Sequence, residues 1–394
     1  MLKAADALDG ADYRVRVVSA RFVEWAAAAD LEARRTRSWP WREVRLDAGS
    51  LPRIATGLRL RAARAAARAV GVARLPWALV TRAQSRFVDE LARAAREEPA
   101  DLFYAGTAGG LAPAAMAARA QGVPYALDLE DFHDREHDDT AEGRLSDALH
   151  ARVVGELYPG AAFATAGSAA IADAYARKYG RRPIAVHNTF PLPDTAASAP
   201  HEGPLRLHWF SQTIGPGRGL EQAIAAVGAA GIDAELALRG RISADYRRTL
   251  ESLVHLQAPR LRLTLLPPIA PDALVASCAA FDVGLALEPA RSPNNDLAAS
   301  NKLFTYLVAG LAVALTDTTG QRPVADELGA DAVRVRPGDS AALAAGLRRW
   351  HEDRAALARA RQASFAAARR RWHWEHDDDR GALLAAVAAA LPSR

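Results

Sequence analysis

Residues 281–321 read FDVGLALEPARSPNNDLAASNKLFTYLVAGLAVALTDTTGQ. FDVGLAL is a short apolar run with the pattern of a strand buried on both faces of a parallel sheet. SNKLFTYLVAG has apolar residues at helical spacing and closes on Gly310, after which LAVAL begins another apolar run. Strand, polar loop, helix and strand form the repeating unit of an α/β fold. In an open α/β sheet, the loop after a strand's carboxyl end is where ligands bind. Asn301 and Lys302 then stand at the start of a helix, where free backbone N–H groups and the positive end of the dipole favour an anion. A phosphate is the natural guest.

The same rhythm extends upstream. LRLHWFS (205–211) reads as a strand, QTIGPGRGL as a loop and EQAIAAVGAAG as a helix. Gly215, Gly217 and Gly219 let the backbone approach a ligand closely, and Arg218 presents a planar fork suited to phosphate oxygens. AELALRG (234–240), ending in Arg239 and Gly240, reads as strand and turn; RLRLTLLPPI is a strand ending in Pro267 and Pro268. Downstream, AVRVRP and GDSAALAAGLRRW supply a final strand and helix. The tail RRRWHWEHDDDRGALLAAVAAAL reads as two tryptophans followed by a strongly amphipathic helix.

In the N-terminal half, strands are expected at YRVRVVSARF, DLFYAG, VPYALDL, FATAG and PIAVHN. A helix from about Glu142 to Leu157 precedes FATAG, and another is capped by Ser168 and stopped by Gly180. The VPYALDL strand delivers Asp128, Glu130, Asp131, His133, Asp134, Glu136, His137, Asp138 and Asp139 within a dozen positions, where an α/β enzyme places acid/base groups. Glu130, Asp131 and His133 are the candidates. A helix tail precedes the first strand, whereas a doubly wound domain opens with a strand and a glycine-bearing turn. The N-terminal domain is therefore expected to lack its first, central strand, with Met1 a late start or truncation.

With 394 residues, half of them apolar, the chain is long enough for two domains. The Pro/Ala/Ser-rich stretch 191–204 is the expected linker. A single cysteine, Cys278, excludes a disulfide framework and a Cys-based zinc site. No apolar run reaches the length of a membrane span, and MLKAADALDG lacks a signal peptide's apolar region, so a cytoplasmic location is expected. Between Leu51 and Arg96, ten arginines face only Asp89 and Glu90. Arg59, Arg61, Arg64 and Arg68 are the candidate contact with an anionic membrane surface or a pyrophosphate-linked acceptor. No nucleic-acid-binding motif accompanies them.

The whole arrangement resembles the GT-B glycosyltransferases, and FSQTIGPGRGLEQAI, ELALRG, SNKLFTYLVAGLAV and the tail around Trp372 to Glu375 look most like glycosyltransferase family 4. That resemblance implies two Rossmann-like domains facing across a cleft. Residues 1–190 would bind the acceptor and 205–370 the sugar nucleotide, with 371–394 as a helix crossing back. It implies a donor site made of Thr213, Gly215, Gly217, Arg218, Gly219, Arg239, Gly240, Pro268, Glu288, Asn301, Lys302 and Thr305. Thr305 stands where the family carries a ribose-gripping glutamate, and Glu288 is the nearest carboxylate. The implied reaction moves a sugar from a nucleotide sugar to a glycan or lipid-linked acceptor, with retention and without metal or cofactor, in surface polysaccharide or glycolipid synthesis. A sugar-nucleotide epimerase of the same fold and a catalytically silent sugar-nucleotide-binding subunit are the alternatives.

Overall fold

The computed structural model describes residues 1–21, 31, 33–47, 49–193 and 202–391. Most of the expected linker, 191–204, falls outside them. The chain divides into two compact units. One comprises Met1–His187, Ser292–Asn294 and a C-terminal piece beginning at Asp377; the other comprises Asn188–Arg291 and Asn295–His376. The division differs from the sequence reading in placing Ser292–Asn294 with the N-terminal unit and Asn188–Phe190 and Arg371–His376 with the second.

The N-terminal unit opens with α1 (Leu2–Asp9), followed by the parallel strand pair β1 (Val17–Ala20) and β2 (Trp41–Val44). Three helices follow: α2 (Leu51–Val70), α3 (Trp77–Gln84) and α4 (Val88–Ala95). Then β3 (Phe103–Gly106), α5 (Ala108–Gln121), β4 (Tyr125–Leu129), α6 (Ala141–Leu157), β5 (Ala164–Ala166), α7 (Ala169–Tyr179) and β6 (Ile184–Ala185) alternate. Their four strands form one parallel sheet in the order β3-β4-β5-β6. No described strand joins that sheet to the β1-β2 pair, which is the break expected where a central strand is lacking. The start and end of α7 follow the sequence. Ser168 Oγ accepts the Ile171 amide at 3.0 Å, and Gly180 adopts φ 73°, which removes the penalty a Cβ would bring.

The C-terminal helix Ala382–Ala390 departs from the expectation of a strongly amphipathic segment. It buries Leu383 and Val387, but ALLAAVAAA has no polar face to oppose them. Just before it, fully buried Asp379 accepts both the His187 amide (2.7 Å) and a contact from its Nδ1 (3.0 Å).

The second unit is a six-stranded parallel sheet, β7 (Leu205–Ile214), β8 (Ala234–Ile242), β9 (Leu261–Leu266), β10 (Val283–Ala286), β11 (Ala312–Thr316) and β12 (Val333–Val335), in the order β12-β11-β10-β7-β8-β9. Its principal helices are α8 (Leu220–Ala230), α9 (Ala244–Gln257), α10 (Asn301–Val308), α11 (Ser340–Glu352) and α12 (Arg354–Arg370). The chain winds outward from β7 to β9, then returns to β10 and winds the other way. Strand order therefore reverses between β7 and β10, and in such sheets ligands bind outside the carboxyl ends at that reversal.

Residues of β10 alternate between two cores, as a strand's period of two requires. Val283 and Leu285 join Leu207, Trp209, Ile224 and Trp350 on one face; Ala286 joins Leu303, Phe304, Tyr306 and Val313 on the other. Gly284 is needed in that strand because a Cβ there would lie 2.1 Å from the Tyr306 ring. A buried ion pair crosses this unit: Arg361 Nη1 lies 3.0 Å from Asp282 Oδ1, and Arg361 Nε donates to Gly310 O.

Two loops of the sequence reading are strand instead. Pairing between β7 and β8 continues past a register shift to Thr213↔Arg241 and Ile214↔Ile242. Thr213, expected in the glycine loop, and Arg239 and Gly240, expected at a turn, thus lie within strands.

Candidate functional site

The loop after β7 runs from Gly215 to Gly219, and the loop after β10 begins at Leu287, so both open at the strand-order reversal. They pack directly on each other. Gly219 has φ +78°, and a Cβ there would lie 2.6 Å from the backbone oxygen of Leu287. Gly217 has φ +71°, and the Arg291 guanidinium occupies the space that a Cβ would need. Gly215 has no such neighbour, so its missing side chain is not explained by contact.

Glu288 is the hub of this group. Lys302 Nζ lies 2.7 Å from Glu288 Oε1, and Ser300 Oγ donates to the same oxygen at 2.8 Å. The Glu288 amide donates to Thr316 Oγ1 at 2.8 Å, which fixes the backbone as well. Burial works to raise the Glu288 pKa, but the Lys302 charge, hydrogen bonds from Lys302 and Ser300, and the Arg218 charge outweigh it and hold the carboxyl below the ordinary glutamate value. Two cations, Arg218 from the loop after β7 and Lys302 from the first turn of α10, therefore act on one carboxylate. Arg218 is otherwise exposed and donates to Ser211 Oγ at 3.3 Å. The Lys302 ammonium also sits 5.6 Å from the Trp209 ring centroid, an arrangement that favours a cation.

Other members of the sequence-derived donor set form no hydrogen bond or ion pair with Glu288 among the described residues. Asn301 is exposed at the first position of α10, and Pro268 is exposed after β9. Arg239 Nη1 donates to Pro267 O at 2.9 Å, and its charge acts on buried His208. Burial, then Arg239, lower the His208 pKa to about 3, so this imidazole is a neutral core residue stacked on Phe281 at 4.4 Å. Thr305 is fully buried, and its hydroxyl donates to Asn301 O at 2.9 Å. Sequence reasoning missed Arg291, Ser300 and Trp209. Arg291 and Ser300 flank the polar loop without periodicity, whereas Ala290, with φ 49°, marks that loop as unusual only once the backbone is seen.

In the N-terminal unit, a cavity is lined by Thr107, Ala108, Glu130, Asp131, His133, Glu136, His137 and His150. All three acid/base candidates of the sequence reading meet there. β4 ends at Leu129, which places Glu130 and Asp131 at its carboxyl edge, and α5 brings its first turn from behind Thr107, whose φ is 60°. Asp131 Oδ1 accepts from Asn294 Nδ2 at 2.9 Å, and Asn294 Oδ1 in turn accepts the Phe132 amide at 2.7 Å. Burial, followed by the Asp128 and Asp131 charges, raises the Glu130 pKa. Burial also raises that of Asp131, against the hydrogen bond from Asn294.

His133 is only 3% exposed, with Nδ1 2.8 Å from Glu136 Oε2. Burial opposes its charged form, but the hydrogen bond and charge of Glu136 outweigh burial and raise its pKa. The converse holds for Glu136, where burial is outweighed by His133 and the pKa is lowered. His150 is pushed down to about 4 by burial and then by the His133 charge. A buried carboxyl set with raised pKa beside an imidazole whose pKa is also raised is the electrostatic pattern of an acid/base site.

The arginine face on α2 is largely paired within its own unit. Arg59 binds Glu90 (2.7 Å) and Asp89 (2.9 Å), Arg68 binds Glu142 (2.6 Å), and Arg64 bonds Ala83 O (2.9 Å) and Glu142. Of the four, three are therefore committed to carboxylates of the same unit, because α2 packs its basic edge against α3, α4 and the start of α6. The outward side carries Leu51, Ile54 and Leu58, which are 81%, 51% and 56% exposed, with Arg61 exposed next in line. Among the described residues, no helix is long and apolar enough to cross a membrane.

The architecture is that of the GT-B glycosyltransferases, an α/β fold with parallel sheets. Among solved structures, Anabaena Alr3699/HepE in complex with UDP and glucose superposes with a TM-score of 0.67 at 18% identity, over 98% of this chain and 94% of that one. Sucrose-phosphate synthase from Thermosynechococcus elongatus does so with a TM-score of 0.67 at 15% identity, over 98% and 92%. A glycosyltransferase from Rickettsia africae gives 0.61 at 9% identity, over 100% and 94%. No family model and no curated protein matches the sequence.

Proposed function

We propose that the chain is a glycosyltransferase that moves a sugar from a nucleotide-sugar donor to an acceptor hydroxyl. The observation that carries this reading is the grouping of Arg218 and Lys302 about Glu288 at the β7/β10 reversal. The fold adds support, since solved structures that share it include one holding UDP-glucose. The donor's diphosphate is assigned to the Gly215–Gly219 turn, Arg218 and Lys302, with Arg291 as a further cation. Breaking the glycosidic bond puts negative charge on the departing phosphate. Fixed cations and N–H groups in a water-poor site stabilise that charge more than water does. Lys302 exchanges Glu288 for phosphate as the donor arrives, or shares both.

The second half of the reaction is assigned to Glu130 and Asp131, which orient or deprotonate the acceptor hydroxyl, with His133 beside them. The outcome is proposed to be retention at the anomeric carbon. The acceptor is proposed to be lipid-linked or a surface glycan, with Leu51, Ile54, Leu58 and Arg61 touching an anionic bilayer in place of the full arginine face. This side of α2 joins an exposed apolar stripe to a cation, which suits the headgroup boundary.

Incubation of the protein with UDP-glucose and other nucleotide sugars, followed by assay of nucleotide diphosphate and products, tests the reading. Donor hydrolysis or transfer that disappears in Arg218→Ala and Lys302→Ala is expected. Nucleotide sugars that neither bind nor react would overturn it, and conversion of the donor to its epimer without acceptor would assign the chain to an epimerase instead.

A further inference from the structure

The cavity that holds Glu130 and Asp131 is also lined by His133, Glu136, His137 and His150, and of these four the proposed transfer uses His133 alone. His133, Glu136 and His150 each bring one ligand atom within 4.8 Å of the other two. His137, Asp147 and the same His150 form a second, overlapping triad. The groups come from two rigid pieces. His133 to His137 lie in and after the short helical turn that follows β4, and Asp147 and His150 are one turn apart on α6. Three imidazoles therefore pack together, with ring centroids 5.8 Å apart for His133 and His150 and 5.5 Å for His137 and His150.

Two buried ring nitrogens in this cluster, His133 Nε2 and His150 Nδ1, have no hydrogen-bond partner. His133 is 97% buried, since its exposure is 3%. A buried polar atom left unpaired is costly, and His150 Nδ1, open beside the His133 Nδ1–Glu136 Oε2 pair, calls for a partner of another kind. Two imidazoles and a carboxylate are the donor set of divalent zinc and similar borderline metals, and are poorly suited to magnesium, which prefers oxygen throughout.

We propose that His133, Glu136 and His150 bind one divalent transition-metal ion of the zinc class, with His137 and Asp147 as an adjoining shell that orients the shared His150. Three protein ligands leave a coordination position open, and the cavity lined by Glu130 and Asp131 is the space beside it. An imidazole bound to metal cannot also accept a proton. The ion thus removes His133 from acid/base work and leaves that task to Glu130 and Asp131. The inference stands apart from the proposed transfer reaction, because metal binding needs neither donor nor acceptor.

The test uses the full chain, free of any histidine tag and stripped with EDTA. Zinc is titrated against a chromogenic chelator, and cobalt is added separately for its visible spectrum. One zinc per chain is expected, with an intense tetrahedral-type cobalt absorption. His150→Ala, which removes the shared ligand, should weaken zinc binding by about 100-fold or more, and Glu136→Gln by about 10-fold or more. Melting of the stripped variants is compared with that of the stripped parent, so that a misfolded variant is recognised, and Glu136→Gln keeps the shape of the side chain. Substoichiometric zinc, or binding unchanged in both variants, would overturn the proposal and assign any zinc to scattered surface groups.

Discussion

Lys302 Nζ and Glu288 Oε1 lie 2.7 Å apart, with the lysine side chain 13% and the glutamate 22% exposed. The pair sits where two loops meet at the strand-order reversal, and it makes Lys302 a cation that is already positioned before any ligand arrives. Replacing Lys302 with alanine removes a charge-assisted contact worth about 1.5–3 kcal/mol. A loss of roughly 10- to 100-fold in affinity for UDP, measured by calorimetry, is expected. Unchanged affinity would remove Lys302 from the donor site.

The same pair sets a pH limit. Glu288 is held below its ordinary value, so its contribution to stability is present above the unfolded pKa and is lost as pH falls through the folded one. Melting temperature in the parent should therefore fall on acidification below the usual glutamate range more steeply than in Glu288→Gln. Parallel melting curves across that window would show that the pair contributes nothing to folding.

Glu130 has the opposite sign. Burial and two neighbouring carboxylates raise its pKa, so the fold favours the protonated form, and that stabilisation, present below the unfolded pKa, is lost as pH rises through the raised folded one. Glu130→Gln should thus be at least as stable as the parent at neutral pH. If Glu130 is the base, transfer falls by about 10²- to 10⁴-fold in the variant. In the parent, the rate falls as pH drops through a value above the ordinary carboxylate range. A variant that melts earlier yet retains full activity contradicts both halves.

Gly219→Ala brings a Cβ onto Leu287 at φ +78°. The backbone strain is of order 1–3 kcal/mol, and the loop must lift from its neighbour. Nucleotide affinity should fall while circular dichroism stays native; Gly215→Ala, at a position with open space, is the matched control.

Buried Asp282 holds Arg361 at 3.0 Å, and both side chains are nearly inaccessible. Asp282→Ala takes the carboxylate away from the buried Arg361 guanidinium and should cost roughly 3–5 kcal/mol in urea unfolding. A cost under about 1 kcal/mol would mean that water reaches Arg361 after all.

Binding of the protein to vesicles is the check on the α2 face. Co-sedimentation with vesicles rich in anionic lipid should drop in Leu51→Glu/Leu58→Glu, while Arg68→Ala, whose charge already meets Glu142, should have little effect. The reverse order would restore the arginine face as the contact.

Much of this was legible in the chain. The run FDVGLAL had to be a buried strand, Ser168 and Gly180 had to bound a helix, and the acids after VPYALDL had to gather at a strand end, because period, capping and chain direction are local properties. Lys302 and Arg218 were legible as cations near helix starts. Their common partner was not, since Glu288 lies 14 residues before Lys302 and 70 after Arg218. Nor was the fate of Arg59, Arg64 and Arg68, whose carboxylates come from other helices.

The sequence alone determined the elements, their α/β order and which residues carry charge, because hydrogen bonding along a helix and alternation along a strand are written within a few residues. Tertiary structure decided which charges meet. It joined Lys302 to Glu288, turned Thr305 inward and brought His150 of α6 to His133 after β4. Those outcomes depend on distances between segments far apart in the chain, and such distances are fixed only when the sheets and helices pack.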